Sequence, residues 1–155
     1  MIIQTNRLIL RPFVKTDIEW YHDVAQHPDI KKWLCSLATS DKSINQEHVN
    51  IFSEGNDKDD FYYVITNKEN EPLGFIIAIR INRYTVDVSY FLKEESRHQG
   101  YMHEALEALV PKMREKNYLY RFRMQIAIDN FSSLNVAKKF NPQIFKKGNN
   151  FMCYI

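Results

Sequence analysis

Arg97-His98-Gln99-Gly100-Tyr101-Met102, continued by His103-Glu104-Ala105-Leu106, is the stretch whose reading decides the fold. The run before it, Thr85 to Leu92, reads as a strand. The run after it carries apolar residues at helical spacing, and its one glycine sits at the join. A strand that turns through a glycine-containing loop into a helix presents free backbone N–H groups to an anion. The same turn also occurs without a ligand in many α/β proteins, so the motif alone leaves open a phosphate cradle and an empty turn.

Outward from this loop the pattern is regular. Upstream, Val86, Val88, Tyr90 and Leu92 share one face of the strand, and Asp87, Ser89 and Phe91 the other. An aspartate on a central strand is unusual and marks Asp87. Downstream, Met102, Ala105, Leu106, Leu109 and Met113 follow the i, i+3, i+4, i+7 rule of a helix packing one stripe on a sheet. Pro111 predicts a kink or a local end there, because a proline inside a helix removes a hydrogen bond at a cost of about 3 kcal/mol. Arg121 to Ile128 alternates as a strand. Asn130 caps a helix carrying Leu134, Ala137 and Phe140, which stops at Asn141-Pro142; Gln143 to Phe145 and Phe151 to Ile155 read as short terminal strands.

Towards the N-terminus, Arg7 to Phe13 alternates and closes on Pro12, as a strand near a sheet edge does. Thr16, with Glu19 in capping-box position, predicts a helix through Ile18, Tyr21, Val24 and Ala25. Asp29 and Ser43 are the expected caps of two further helical pieces, which form a flap beside the sheet. Glu54 to Asp60 has the composition of a surface loop. Phe61 to Thr66 and the almost continuously apolar Leu73 to Ile81 read as a hairpin, the second strand buried on both faces.

The 155 residues, 45% of them hydrophobic, suit a single domain spanning 1–155. With 21 basic and 19 acidic residues the formal charge is +2, which gives no electrostatic argument for nucleic acid. No apolar run approaches the roughly 20 residues that cross a bilayer. Met1-Ile2-Ile3-Gln4-Thr5 lacks a signal-peptide pattern, so a cytoplasmic location and no membrane partner are expected. Cys35 and Cys153 stand apart and are expected to be buried free thiols. The five histidines show no ligand spacing, so no metal is expected.

The element order resembles that of the GNAT superfamily of acetyl-CoA-dependent N-acetyltransferases. Thr5-Asn6-Arg7-Leu8-Ile9-Leu10-Arg11-Pro12 looks like the opening strand of its RimJ/RimL-like branch, which modifies ribosomal-protein N-termini and some antibiotics, and Pro72-Leu73-Gly74-Phe75-Ile76 resembles its hairpin. Arg97 to Met102 is similar to the superfamily's pyrophosphate pattern, Gln/Arg-X-X-Gly-X-Gly/Ala. Asp129-Asn130-Phe131-Ser132-Ser133 is similar to the Asn-X-X-Ser that opens its next helix. The resemblance covers essentially the whole chain. It implies an α+β fold in α/β/α layers, with a mixed, mostly antiparallel twisted sheet of six to seven strands flanked by about four helices.

For chemistry, the resemblance implies acetyl-CoA as donor. The N–H groups of His98, Gln99, Gly100, Tyr101 and Met102 would bind its pyrophosphate, with Arg97 adding positive charge. The strand region of Tyr90, Phe91 and Leu92 would hold the pantetheine arm, and Asn130 would serve as cap or pantetheine contact. Asp87 matches the position of a carboxylate that accepts the amine proton through water. Ala137 stands where the family commonly has a tyrosine acid, and Ser133 is the implied substitute. His98 replaces a common glycine and Met102 a small residue, with the core as the alternative home for Met102. Trp20, Tyr21 and Trp33, together with Phe52, resemble the substrate-side flap in position. Lys138, Lys139, Lys146 and Lys147 read as a solvated face that can also meet the ribose phosphate. The expected partners are acetyl-CoA and an amine acceptor, a peptide N-terminus or a small molecule, with the chain a monomer or homodimer. The competing expectation, motivated by the missing tyrosine, the altered loop and Asn141-Pro142 in place of a Gly-Phe ending, is a catalytically weak acyl-CoA-binding or interaction protein.

Overall fold

The computed structural model describes residues 1–55 and 60–155. In chain order the elements are β1 (Ile3–Gln4), β2 (Ile9–Pro12), α1 (Ile18–Ala25), α2 (Pro28–Trp33), α3 (Lys42–Glu54), β3 (Phe61–Thr66) and β4 (Pro72–Arg80). They continue with β5 (Thr85–Leu92), α4 (Tyr101–Lys116), β6 (Arg121–Ala127), α5 (Phe131–Lys138), β7 (Gln143–Lys147) and β8 (Asn150–Tyr154). The strands form one sheet in the order β1-β2-β3-β4-β5-β6-β8-β7. Every neighbouring pair is antiparallel except β5 and β6, which run parallel and are joined over one face by α4.

Alternation along the central strands creates two cores. Phe61, Tyr63 and Ile65 of β3, with Ile76 and Ala78 of β4 and Val86 and Val88 of β5, face α4 and α5, where Leu106, Leu109, Met113, Leu134 and Ala137 complete the packing. Tyr62 and Val64, Phe75 and Ile77, and Phe91 point to the other face, against Tyr21, Ile30, Val49 and Phe52 of the first three helices. All six residues of β3 are therefore buried, as a strand covered on both faces requires. The second core is aromatic: Phe13 lies 5.2 Å from Phe52, and Tyr21 5.7 Å from Phe52 between ring centroids.

The mixed α/β class is as expected, with eight strands rather than six to seven and five α-helices rather than about four among the described residues. The extra strand is β1, two residues pairing Ile3 with Leu10, too short to leave a periodic signal. It makes β2 the second strand from the edge. The caps also differ. A 3-10 turn over Lys15–Asp17 precedes α1, and Asp17, not Thr16, closes it by accepting from the Val14 N–H at 2.8 Å. Helix α2 is capped by His27, whose Nδ1 accepts from the Asp29 N–H, and α3 by Asp41, which accepts from the Ser43 N–H. Helix α4 does not end at Pro111; it continues to Lys116. Cys153 is buried, whereas Cys35 is exposed. The loop expected over Glu54 to Asp60 falls mostly on 56–59, outside the described residues.

Gly74 on β4 is fixed by close approach. A Cβ there would overlap the Phe91 carbonyl and lie 2.9 Å from Leu92 Cα on the paired strand. Gly74→Ala is expected to destabilise the domain by about 1–3 kcal/mol, the range of overpacking, read as a lower midpoint in denaturant unfolding.

Candidate functional site

Strands β5 and β6 pair only through Thr85↔Arg121, Val86↔Phe122 and Asp87↔Arg123. Beyond Asp87 they part, and a cleft of about 630 Å³ opens between them. Its walls are the ends of the two strands, the N-termini of α4 and α5, and the far end of α2.

Its floor is the loop before α4. His98 and Gly100 both adopt left-handed backbone, with φ of 61° and 79°. Glycine tolerates this freely; at His98 it is a strained choice for a residue with a Cβ, of order 1–2 kcal/mol. Gly100 is the N-cap of α4 and supplies no side chain, so the N–H groups of the first turn are left open. Left-handed positions leading into an uncapped helix of 16 residues make a concave, positively polarised nest for an anion. In the cleft wall beside it, His103 Nδ1 is buried with no hydrogen-bond partner among the described residues. Its ring packs 4.8 Å from Phe140.

The nest is tied down from a distance. Glu104 Oε1 accepts from the Thr5 hydroxyl at 2.5 Å and the Arg7 N–H at 2.9 Å, and Oε2 from Arg7 Nε at 2.7 Å. The same guanidinium donates to the Gln99 carbonyl at 2.9 Å and lies 4.6 Å from the Tyr101 ring centroid. Burial disfavours the Glu104 carboxylate, but the Thr5 hydroxyl and the Arg7 N–H and guanidinium outweigh it and hold the carboxyl below its usual range.

The expected site residues divide. Asp87, Tyr90, Phe91, Leu92, Arg97 and His98 line the cleft, as do Gly100, Tyr101, Met102, Asn130, Ser133 and Trp33. Gln99 does not; its carbonyl is taken by Arg7 and its amide donates to the Glu95 carbonyl. Trp20 and Tyr21 do not either. Tyr21 is 1% exposed in the aromatic core, and Trp20 stacks on Phe13 and donates to Asp17. Met102 turns its side chain into the main core while keeping its N–H in the first turn. Arg97 donates to the Leu92 carbonyl at 2.9 Å and to Asp29 on α2 at 2.6 Å. Asp87 Oδ1 accepts from Arg123 Nε at 2.7 Å, a contact that raises the guanidinium's pKa. Asn130 caps α5 by accepting from the Ser133 N–H, and the Tyr90 hydroxyl donates to the Ser133 carbonyl at 3.2 Å.

Sequence reasoning missed several of these partners. Arg7 and Glu104 lie 97 positions apart, and Asp29 and Arg97 are separated by 68, so no local spacing signals either pair. Cys35 and Ser36, on the short turn after α2, also line the cleft. Among the described residues no cluster of three metal-binding side chains occurs, and no helix is long and apolar enough to cross a membrane.

A family model described as "Acetyltransferase (GNAT) domain" matches residues 7–141. No curated protein matches the sequence. Among solved structures, the chain is similar to a GNAT-family acetyltransferase from Bacillus anthracis, with a TM-score of 0.81 and 22% identity over 99% of this chain and 96% of that one. It is also similar to RimL, a ribosomal L7/L12 alpha-N-protein acetyltransferase in complex with coenzyme A, at TM-score 0.81 and 21% identity over 100% and 97%. An acetyl transferase from Salmonella typhimurium that modifies the N-terminal serine of L7/L12 gives 0.78 and 22% over 99% and 96%. At these identities the likeness establishes the fold.

The Glu104 clamp makes a pH-dependent contribution to stability. A carboxyl whose pKa is lower folded than unfolded stabilises the native state above the unfolded value and loses that contribution as pH falls through the folded one. Glu104→Gln is therefore expected to cost about 2 kcal/mol near neutrality, the worth of hydrogen bonds to a charged group. The difference from wild type should shrink as pH falls below 4.5, measured by denaturant unfolding at a series of pH values.

Proposed function

The chain belongs to the GNAT acetyltransferase family, and on that premise we propose that it moves acetyl from acetyl-CoA to a primary amine, by direct transfer in a ternary complex. The observation that carries this reading is the uncapped, left-handed entry to α4 lying at the point where β5 and β6 separate. The open N–H groups of Tyr101, Met102 and His103 suit the pyrophosphate. The β6-facing edge of β5 beyond Asp87 is unpaired and suits the amides of the pantetheine arm.

The acceptor enters from the α2 side, where Trp33, Cys35 and Ser36 form the wall and Asp87 stands at the apex of the split. The nucleophile must be a neutral amine. A lysine side chain of pKa about 10.4 is neutral at pH 7 in roughly one molecule per 2,500, an α-amine near 7.8 in about one in seven, a gap of about 3.5 kcal/mol. Asp87 already spends one oxygen on Arg123, so it supplies modest assistance through water rather than a strong base. That favours an α-amine, at a peptide or protein N-terminus or on a small molecule. RimL, which acts on a ribosomal-protein N-terminus, supports the same acceptor class. The Asp87–Arg123 ion pair is also what favours the second reading, a catalytically weak acyl-CoA-binding protein.

Thiol release from acetyl-CoA should be fastest with peptides bearing a free α-amine and slow with Nα-blocked peptides whose only amine is lysine. Asp87→Asn is expected to lower kcat about a hundredfold at pH 7, the low end for proton-transfer assistance, with a smaller loss at pH 9 where more amine is neutral. Coenzyme A binding without amine-dependent thiol release would support the second reading instead.

A further inference from the structure

Acetyl transfer leaves sulfur with a pair of electrons and a negative charge. The amine nitrogen attacks the thioester carbonyl carbon, the C–N bond forms, and the C–S bond breaks with its electrons staying on sulfur. The amine's surplus proton passes to water beside Asp87, and the thiolate ends as a thiol by taking one proton from solvent. Some group must stabilise the thiolate as it forms. Ala137, at the position where the resemblance implies a tyrosine, is fully buried, and its side chain has no polar atom to offer.

Tyr90 lies three residues beyond the last β5–β6 pair, on the wall of the split. Its side chain is on the α4/α5 side, packed against the same core cluster that contains Leu134 and Ala137. Its hydroxyl crosses the split to the Ser133 carbonyl in the first turn of α5. At 3.2 Å this bond is long for O–H···O, whose ordinary length is about 2.7–2.8 Å. In an α-helix the Ser133 carbonyl also has an intrahelical partner, so it is not orphaned if the hydroxyl turns away. Resting on the acetyl-transfer reading, we propose that the Tyr90 hydroxyl donates a hydrogen bond to the departing thiolate, a role that Ala137 leaves open.

The donation stops short of full proton transfer. Burial pushes the Tyr90 pKa up to about 12. An ordinary thiol titrates near 8.5, so handing the proton over would be unfavourable by roughly 3,000-fold. Tyr90 thus stays a neutral donor at working pH, and water supplies the proton. Cys153 on β8 is its ionisable neighbour, and burial holds that thiol in the neutral form. Tyr101 also lines the cleft, but it sits under the Arg7 guanidinium at the other end of the nest. Ser133 offers a hydroxyl from the same turn, an aliphatic alcohol and a weaker donor than a phenol.

The test titrates coenzyme A on the protein. The ultraviolet absorbance of the bound thiolate, followed against pH, should give a thiol pKa about one unit lower in wild type than in Tyr90→Phe, at similar affinity for coenzyme A. Amine acetylation should lose about a hundredfold in kcat, the low end for removing one such donor, with KM for acetyl-CoA within about threefold. A purely structural tyrosine would leave the bound thiol's titration unmoved. Identical titrations in wild type and Tyr90→Phe overturn the assignment, and a shift caused by Ser133→Ala in place of Tyr90→Phe overturns it in favour of the serine. Failure of the wild type to bind coenzyme A, or to acetylate any amine, is a separate result: it removes the acetyl-transfer reading and this inference with it.

Discussion

After Asp87 and Arg123, β5 and β6 stop exchanging hydrogen bonds, and the rest of the site follows from that divergence. A parallel pair must be joined by a crossover, here α4, whose N-terminus then lies at the carboxyl end of β5. Where the strands part, the backbone of β5 loses its partner on one side while β4 keeps it paired on the other through Gly74↔Leu92. The result is a rigid strand with one open edge beside a helix N-terminus with open N–H groups. Arg123 and Asp87 close the apex with an ion pair between the last paired residues.

A nest made of strained backbone holds its shape only if its surroundings enforce it. The enforcement comes from the start of the chain. Thr5 and Arg7, between β1 and β2, reach Glu104 in the first turn of α4, and Arg7 also grips the Gln99 carbonyl within the loop. Strand β1 therefore does more than lengthen the sheet: its pairing with β2 fixes the turn from which Thr5 and Arg7 project. On the opposite side, Arg97 joins the loop to α2 through Asp29. The loop is thus tethered to both flanks of the molecule, by Arg7 on one side and by Arg97 on the other.

Elements with strong periodicity were legible in the sequence. The apolar run of β4, the alternation of β5 and β6 and the stripe of α4 depend on local spacing, and local spacing is what a sequence displays. Caps are less legible, because residue preference points to Thr16, Asp29 and Ser43, while Asp17 reaches back to the Val14 N–H and His27 and Asp41 cap α2 and α3. Asp17 shows why: its carboxylate is claimed by Arg11 and Trp20, contacts that preference scales omit. The glycine loop and the Asn130 cap could be read directly. The substrate-side placing of Trp20 and Tyr21 fails, since an aromatic stripe looks the same whether it faces a cleft or a core, and here Phe13, Phe52 and Phe75 surround it.

Arg97 illustrates how magnitude decides what a contact means. Its bond to Asp29 is short, 2.6 Å, yet the two side chains remain 25% and 34% exposed. A partly exposed pair of this kind contributes up to about 1 kcal/mol, because water screens it and two long side chains must be held in one geometry. A charge-assisted hydrogen bond to a phosphate oxygen contributes about 1.5–3 kcal/mol. The observed pairing with Asp29 is therefore the weaker of the two kinds of interaction open to the guanidinium, and an anion in the nest would compete with it successfully. The contact to the Leu92 carbonyl uses Nε alone. With Nε so anchored, the terminal nitrogens can change partner without moving the side chain's stem, and the charge stays at the mouth of the nest in either arrangement.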